Sequence, residues 1–255
     1  MKKEQIKVSW LSLDIVWENP KENLTAIEQF LSTNSTMDIL VLPEMVTTGF
    51  TGNAEACAET MDGPSVLVIK SLAASHKVAI ACSLVITENE KFYNRFMFFH
   101  PEGRIDTYDK HHLFTYAGED EVYSAGSSHL VVDYKGWSIA CFICYDLRFP
   151  AWIRRGALGS DLAIFVANWP ELRVEAWTAL LKARAIENQV YVLGVNRTGE
   201  DGKGLRYCES SQLYHPDGSS IDIEDSTSQI SKSALDSFRE RFPFFQDADR
   251  FQFLS

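Results

Sequence analysis

Residues 141–150, with the sequence CFICYDLRFP, bring two thiols, a carboxylate and a guanidinium close together in the chain. Cys141 and Cys144 permit four interpretations: a structural metal site, a redox pair, two buried core thiols, or one catalytic nucleophile. The apolar pattern of residues 138–144 predicts a strand, so the two thiols should point to opposite faces of a sheet. That geometry suits neither a shared metal ion nor a disulfide.

A metal site would need further ligands near these cysteines. Structural zinc is usually held by two ligand pairs at matching spacing. Cys208 stands alone in the sequence, and His111 and His112 are adjacent rather than spaced as a ligand pair. A thioredoxin-like pair would begin a helix, whereas these cysteines end a predicted strand. Burial of both thiols in the core stays open as the alternative to catalysis, because cysteine is among the most frequently buried residue types.

Position along the strand separates the two cysteines. Cys141 lies inside it, where we expect a core thiol. Cys144 ends it, and Pro150 predicts a helix start shortly afterwards, since proline is favoured in the first helical turn. A side chain at a sharp strand-to-helix turn is exposed at the edge of a sheet, near free backbone N–H groups. We therefore predict that Cys144 is the nucleophile.

A thiol nucleophile requires a proton acceptor and a positive group that stabilises the oxyanion. Glu44 follows an apolar strand and a proline in LVLPEMVTTGF, and Lys110 follows another strand in YDKHHLF. Either residue alone is typical of a solvated surface charge. Together with Cys144 they form a hypothetical Glu-Lys-Cys site in which each group lies at a strand end.

The elements that must position these residues are interleaved strands and helices. Apolar, β-rich runs predict strands at residues 7–15, 38–44, 78–86, 95–100, 129–134, 138–144, 161–168, 190–196 and 211–216. Helical periodicity appears at residues 24–31 and 65–73 and from about 171 to 188. Several strands are continuously apolar, which indicates burial on both faces. The fold class is therefore α/β or α+β.

Composition limits the partners and the compartment. The chain has 255 residues, with 24 Lys and Arg against 35 Asp and Glu, for a formal net charge of −11. Such an acidic chain should repel nucleic acid and anionic membrane surfaces. No run approaches the roughly 20 apolar residues that a membrane helix needs. The five cysteines are an odd number, which favours a reducing compartment, and we expect a cytoplasmic protein.

These fragments resemble the nitrilase superfamily of carbon–nitrogen hydrolases. The resemblance rests on LPE around Glu44, DKHHL around Lys110 and CYDLRFP around Cys144, in that chain order. Further similar fragments extend it over essentially the whole chain: NRFMFFHPEGRI, ANWP, KARAIENQVYVLGVNRTG, YHPDG and RERFPFFQDAD. The resemblance implies an αββα sandwich forming a single domain over residues 1–255, with a C-terminal arm at about 238–255.

The family also has a second active-site glutamate, on the loop after the lysine and upstream of a glycine. In YAGEDEVYSAG this implies Glu119, with Glu121 as the fallback. Glu44 would act as the base, while Lys110 and the backbone N–H of Tyr145 would hold the oxyanion. The resemblance implies no metal and no organic cofactor.

CYDLRFP, ANWP and the C-terminal fragment are similar to bacterial ω-amidases within this superfamily, which hydrolyse the terminal amide of 2-oxoglutaramate or 2-oxosuccinamate. A substrate of this kind carries a carboxylate, so its pocket needs a cation. Arg148 is the first candidate, although an ion pair with Asp146 is an equal alternative, and Arg173 and Arg197 are weaker candidates. The aromatic residues proposed to line the pocket are Phe50, Phe114, Tyr116 and Trp169, with Trp177 as a further candidate.

Other functions remain open at this stage. The chain could hydrolyse another amide, such as an N-carbamoyl compound or deaminated glutathione. It could also be a binding protein on the same fold, or a redox protein that uses Cys141 and Cys144. The resemblance implies a homodimer as the assembly and a small amide as the other partner.

Overall fold

The computed structural model describes residues 2–34, 36–221, 227–249 and 252. The helices are α1 (Pro20–Thr33), α2 (Ala54–Cys57), α3 (Pro64–His76), α4 (Glu119–Val122), α5 (Pro150–Ala157), α6 (Val174–Asn188) and α7 (Lys232–Arg241). The strands are β1 (Gln5–Trp10), β2 (Ile39–Val41), β3 (Ala79–Glu88), β4 (Lys91–Phe99), β5 (Ile105–Asp109), β6 (Leu130–Tyr134), β7 (Trp137–Ile143), β8 (Leu162–Ala167), β9 (Tyr191–Asn196), β10 (Gly199–Glu200), β11 (Arg206–Tyr207), β12 (Gln212–Tyr214) and β13 (Thr227–Ser231).

Two mixed sheets form the centre of the molecule. One has six strands in the order β13-β1-β2-β3-β4-β5, and the other has five in the order β12-β9-β8-β7-β6. The pairs β1–β2, β2–β3, β7–β8 and β8–β9 are parallel, whereas the outer pairs are antiparallel. Strands β2, β8 and β9 are buried along their whole length, which is the arrangement that their continuous apolar runs predict.

Helices cover the outer face of each sheet. Ile27 of α1 and Val66 of α3 pack in one apolar cluster with Leu40 of the six-stranded sheet. A second cluster joins α5 and α6 to the five-stranded sheet and also includes residues of the six-stranded sheet, such as Val41 and Phe98. The order of layers is therefore helix, sheet, sheet, helix, and the predicted αββα fold is confirmed.

Several boundaries differ from the sequence predictions. The helix expected from about residue 171 begins at Val174, after a 3₁₀ turn at Glu171–Arg173. The arm expected from residue 238 begins inside α7, because residues 238–241 continue that helix. A 3₁₀ turn at Phe244–Asp247 follows, and residues 250, 251 and 253–255 lie outside the described part of the chain.

Polar contacts fasten α7 to the five-stranded sheet. Lys232 forms an ion pair with Asp161 at 2.7 Å, and the guanidinium of Arg239 donates to the backbone carbonyl of Gln189 at 2.9 Å. Both partners precede a strand of that sheet, so α7 closes one end of it. In the described ranges, no helix combines the length and the apolar character that crossing a membrane requires.

Candidate active site

Four strand ends converge on one site between the sheets. Glu44 follows β2 and Lys110 follows β5 in the six-stranded sheet, while Cys144 follows β7 and Asn168 follows β8 in the other. The backbone N–H of Asn168 donates to Glu44 Oε2 at 2.8 Å, and its side-chain amide donates to the Glu44 carbonyl at 2.6 Å. The site is thus built across the interface of the two sheets.

Lys110 lies at the centre of this site. Its ammonium donates to Glu44 Oε1 at 2.8 Å and to Glu119 Oε1 and Oε2 at 3.0 and 2.8 Å. All three side chains are almost fully buried. Two carboxylates and one ammonium therefore share a volume with little access to water, where charge interactions are strong.

The loop that carries Glu119 returns to the end of β5. Gly126 donates its backbone N–H to the Lys110 carbonyl at 3.0 Å. A Cβ on Gly126 would lie 2.2 Å from the Asp109 carbonyl oxygen, so this close approach requires glycine. Glu119 begins α4 and accepts the Phe114 N–H at 2.6 Å. The structure therefore brings Glu119 to Lys110, whereas Glu121 is exposed.

Cys144 begins a 3₁₀ turn with a positive φ of 43°. Non-glycine residues rarely adopt this left-handed conformation, so surrounding contacts must hold it. The fully buried Asp146 supplies them, since its carboxylate accepts the Ile143 N–H at 3.1 Å and the Tyr108 hydroxyl at 2.8 Å. It also accepts from the backbone N–H of His112 at 3.0 Å, and so it joins the turn to the chain around Lys110.

Burial and charge set the protonation of the site. Burial raises the pKa of the Cys144 thiol well above its ordinary value, the charge of Glu44 adds to this, and Lys110 only partly opposes it. Burial alone would lower the pKa of Lys110, but the charges of Glu119 and Glu44 raise it. Burial also raises the pKa of Glu119. The thiol is therefore protonated at rest.

A pocket of about 80 Å³ opens beside the thiol. It is lined by Glu44, Phe50, Lys110, Phe114, Ala117, Cys144, Tyr145, Arg148, Asn168, Trp169, Pro170, Arg173, Asp201, Lys203, Leu205 and Tyr207. Charged groups lie at its base, and aromatic rings form much of its wall. The volume suits a ligand of several heavy atoms, since about 10–15 Å³ measured in this way holds one water.

Three cations in the lining are each paired with an aromatic ring of the same pocket. The Arg148 guanidinium lies 4.8 Å from the centre of the Trp169 ring, and the Arg173 guanidinium lies 5.5 Å from that of Phe114. The Lys203 ammonium lies 5.6 Å from the ring of Phe50. These contacts hold the cations near the mouth by cation–π attraction.

The structure places four of the five predicted substrate-binding residues at the pocket: Phe50, Phe114, Arg148 and Trp169. Tyr116 is a correction. Its side chain is 86% exposed and it is absent from the lining, because the 3₁₀ turn at Thr115–Ala117 directs it outward. The alternative ion pair between Arg148 and Asp146 is not formed in the described residues, since the Asp146 oxygens are occupied by other donors.

Arg197 and Trp177, two weaker candidates for the substrate pocket, do not line it. Arg197 is fully buried, and its guanidinium donates to the carbonyls of Ile15, Thr198 and Glu200, so it supports loops under the pocket. Trp177 is fully buried below Trp169, with ring centres 5.4 Å apart.

The cysteine pair does not form a joint site. Cys141 is fully buried in β7, and burial raises its pKa well above the ordinary value. All five cysteines are unpaired in the structure. Among the described residues, no group of three or more His, Cys, Asp or Glu side chains is arranged to hold a metal ion.

Sequence reasoning missed two groups of residues. The buried Asn94 of β4 donates to Glu44 and Glu119. The segment 199–207, which contains β10 and β11, supplies Asp201, Lys203 and two further residues to the pocket. A signal for Asn94 was present in NRFMFF, where an amide and an arginine directly precede four apolar residues. The 199–207 segment has no such local signal.

This geometry accompanies extensive similarity to known proteins. The family model for carbon–nitrogen hydrolases matches residues 7–240. The chain is 40% identical to the Omega-amidase YafV of Escherichia coli K12 over 97% of this chain and 98% of that protein. It is 34% identical to a 2-oxoglutaramate amidase of Bacillus subtilis 168, over 94% and 96% of the two chains.

A crystal structure shows the same fold closely. It is that of a CN-hydrolase superfamily protein from Xanthomonas campestris, which holds an arsenic adduct in its active site. The two chains superpose with a TM-score of 0.93 at 38% identity, over 98% of this chain and all of the other.

Proposed function

The chain belongs to the carbon–nitrogen hydrolase family, and we propose that it is an ω-amidase that uses Cys144 as its nucleophile. Its substrate would be a small 2-oxo acid amide, such as 2-oxoglutaramate or 2-oxosuccinamate, and its products the 2-oxo dicarboxylate and ammonia. The observation that carries the proposal is one pocket in which a thiol, a buried Glu-Lys-Glu cluster and a cationic mouth occur together.

The first half of the reaction forms a thioester. Glu44 accepts the thiol proton as Cys144 Sγ bonds to the carboxamide carbon, because the thiol is protonated at rest. Lys110 and the backbone N–H of Tyr145 stabilise the oxyanion. The N–H of Tyr145 suits this role, since the first amides of a short helix have no partner within it. Glu44 then returns the proton to the leaving nitrogen, and ammonia departs.

The second half of the reaction hydrolyses the thioester. A water attacks the acyl carbon while a carboxylate of the cluster, Glu44 or Glu119, accepts its proton. The tetrahedral intermediate collapses, the C–S bond breaks, and the sulfur recovers a proton. The product leaves as a carboxylate. Splitting one difficult step into two easier ones is the advantage of the covalent route.

The pocket favours a short acidic substrate. Its volume of about 80 Å³ leaves little room for a peptide-sized acyl group such as that of deaminated glutathione. The three cations at its mouth complement a carboxylate at the far end of the substrate. Other amides of the family, including N-carbamoyl compounds, stay as the second candidate.

The assay is ammonia release from 2-oxoglutaramate near neutral pH. We expect turnover by the wild type and a loss of at least about 1000-fold in Cys144→Ala, because covalent nucleophiles contribute that much or more. Cys141→Ala is the matched control. It removes a buried thiol three positions away and should retain turnover, with a modest loss of stability.

Two outcomes would contradict the proposal. If folded wild type releases ammonia from N-carbamoyl or peptidic amides but not from 2-oxo acid amides, the substrate class is wrong. If Cys141→Ala is the inactive variant while folded, the nucleophile is wrong.

We also propose that the protein is a cytoplasmic homodimer. The absence of disulfides among its five cysteines supports a reducing compartment. Exposed apolar side chains support association, namely Leu158 after α5, Ile186 on α6 and Phe244 after α7. A groove of about 610 Å³ lies between α5, the end of α6 and the segment 244–249.

A further inference from the structure

Asn94 contacts both carboxylates at the base of the site and the backbone of Lys110. It lies in β4 opposite Val85 of β3, and it is fully buried. Its side-chain amide nitrogen donates to Glu44 Oε1 at 2.8 Å and to Glu119 Oε1 at 3.1 Å. Its backbone carbonyl accepts the Lys110 N–H at 3.0 Å. One residue therefore spans both carboxylates and the strand end that carries the lysine.

The orientation of this amide is fixed from the opposite side. Ser83 Oγ donates to Asn94 Oδ1 at 2.8 Å. Ser83 Oγ in turn accepts the Met45 N–H at 2.8 Å. Met45 directly follows Glu44 and has a positive φ of 45°. Because the hydroxyl proton of Ser83 points at Asn94, the amide must present its oxygen to Ser83 and both N–H bonds to the carboxylates.

Two buried carboxylates around a single ammonium tend to repel each other. Hydrogen bonds donated to a carboxylate favour its charged form and fix its position. The other titratable groups facing this cluster are Lys110, Cys144 and Tyr123, the last of which interacts electrostatically with Glu119. Asn94, which carries no charge, donates hydrogen bonds to both carboxylates at once.

We propose that Asn94 is a positioning residue that holds Glu44 and Glu119 in a fixed arrangement around Lys110 and favours the charged form of Glu119. The proposal rests on the proposed function in that it takes these glutamates as the acid–base pair. Asn94 touches neither the thiol nor the pocket, so it acts through the carboxylates alone.

The test compares Asn94→Ala with Asn23→Ala. Asn23 is also a buried asparagine (1% exposed), but its amide donates to the backbone carbonyls of Val16 and Thr47 and to none of the charged side chains of the site. We expect Asn94→Ala to lower kcat/KM for 2-oxoglutaramate on the order of 10- to 100-fold, as for a lost hydrogen bond to a charged group. Asn23→Ala should lose stability and keep its kcat/KM.

The decisive readout is the pH profile. Loss of the donated hydrogen bond raises the pKa of Glu119 further, so its ionised form appears only at higher pH. We expect the acidic limb of the Asn94→Ala profile to move to higher pH, and that of Asn23→Ala to stay in place. Ser83→Ala frees the amide to rotate, and it should move the limb in the same direction by a smaller amount.

Alkylation of Cys144 by iodoacetamide gives the same readout without any amide substrate. The thiol is protonated at rest, so its alkylation also needs a proton acceptor, and the acidic limb should shift in Asn94→Ala. The acidic limb of the alkylation profile could shift in Asn94→Ala although the wild type shows no ω-amidase turnover. That result would reject the proposed substrate and support the role of Asn94. An unchanged profile in Asn94→Ala, or an equal shift in Asn23→Ala, would overturn the role. If Asn94→Ala fails to fold, Ser83→Ala decides by the same criterion.

Discussion

Cys144 depends on its neighbours for the removal of its proton. Desolvation and the nearby carboxylates raise the pKa of its thiol, and the single ammonium of Lys110 does not compensate for them. A resting thiolate would need a stronger positive environment, such as a helix N-terminus or several cations. In the proposed mechanism, proton transfer to Glu44 would therefore accompany the attack, and the thiol would stay unreactive until a substrate arrives.

Arg148 is the residue at which substrate selectivity can be tested most directly. Its guanidinium lies over Trp169 at the pocket and is exposed, so replacing it should leave the fold intact. We expect Arg148→Met to raise KM for 2-oxoglutaramate about 10-fold, the effect of roughly one lost partly screened ion pair. KM for a neutral short-chain carboxamide should stay unchanged, because that substrate has no carboxylate.

Steady-state kinetics with both substrates check this prediction. Equal losses on the charged and the neutral amide would assign Arg148 to holding the turn after Cys144. A selective loss in Arg173→Met or Lys203→Met instead would move the carboxylate contact to that cation.

At the level of elements, strand ends position the chemistry and one segment covers it. A polar residue of the site follows the end of each of β2, β5, β7 and β8, and the sheets fix the distances between these residues. The segment 199–207 is different. It consists of two short strands and a turn, and it places Lys203, Leu205 and Tyr207 over the pocket.

Asp201 holds this segment together. Its carboxylate accepts the N–H groups of Lys203 and Leu205 at 2.8 and 3.0 Å and the Tyr207 hydroxyl at 2.8 Å. We expect Asp201→Ala to raise KM on the order of 10-fold with a smaller change in kcat, because the segment lines the pocket without carrying the thiol. The free energy of unfolding should fall by about 1–3 kcal/mol, since buried donors lose their acceptor.

Steady-state kinetics and denaturant unfolding measure these two effects. Asp201→Asn is the control, because it keeps an oxygen that can accept both backbone N–H groups, and its KM should change less. A fall in kcat alone, with KM unchanged, would show that the segment acts on the chemistry rather than on binding.

For the whole molecule, the layered fold leaves the outer faces of its helices exposed. Ile186 on α6 is 47% exposed, and Leu67 on α3, in the opposite helix layer, is 51% exposed. The proposed dimer uses the α5 and α6 side. We expect Ile186→Glu to convert the dimer to a monomer, because a charge buried at an apolar interface is strongly unfavourable.

Light scattering during size-exclusion chromatography measures this, against the chain mass of 28.9 kDa. Leu67→Glu is the matched control and should remain dimeric. A monomeric wild type at micromolar concentration would reject the dimer, and dissociation by Leu67→Glu alone would place the interface on the other face.

Local patterns in the sequence determined much of the fold and the centre of the site. Continuous apolar runs predicted the buried strands, and Pro150 marked the start of α5 correctly. Glu44, Lys110 and Cys144 were recognisable because each lies in a local motif that follows a predicted strand. Features of this kind depend on residues that are neighbours in the sequence.

Only the tertiary structure decided which distant residues complete the site. Asn94 reaches Glu44 because β3 and β4 pair in one register, and a one-residue shift would turn its side chain to the other face. Asp201 and Lys203 reach the pocket because the chain leaves β9 to form the separate two-stranded sheet of β10 and β11 before it returns to the five-stranded sheet in β12. Tyr116 failed as a prediction because the direction of a single 3₁₀ turn decides whether its ring faces the pocket or water. Strand register, the path of the chain between strands and the direction of a turn are set by packing of the whole molecule, and no local pattern encodes them.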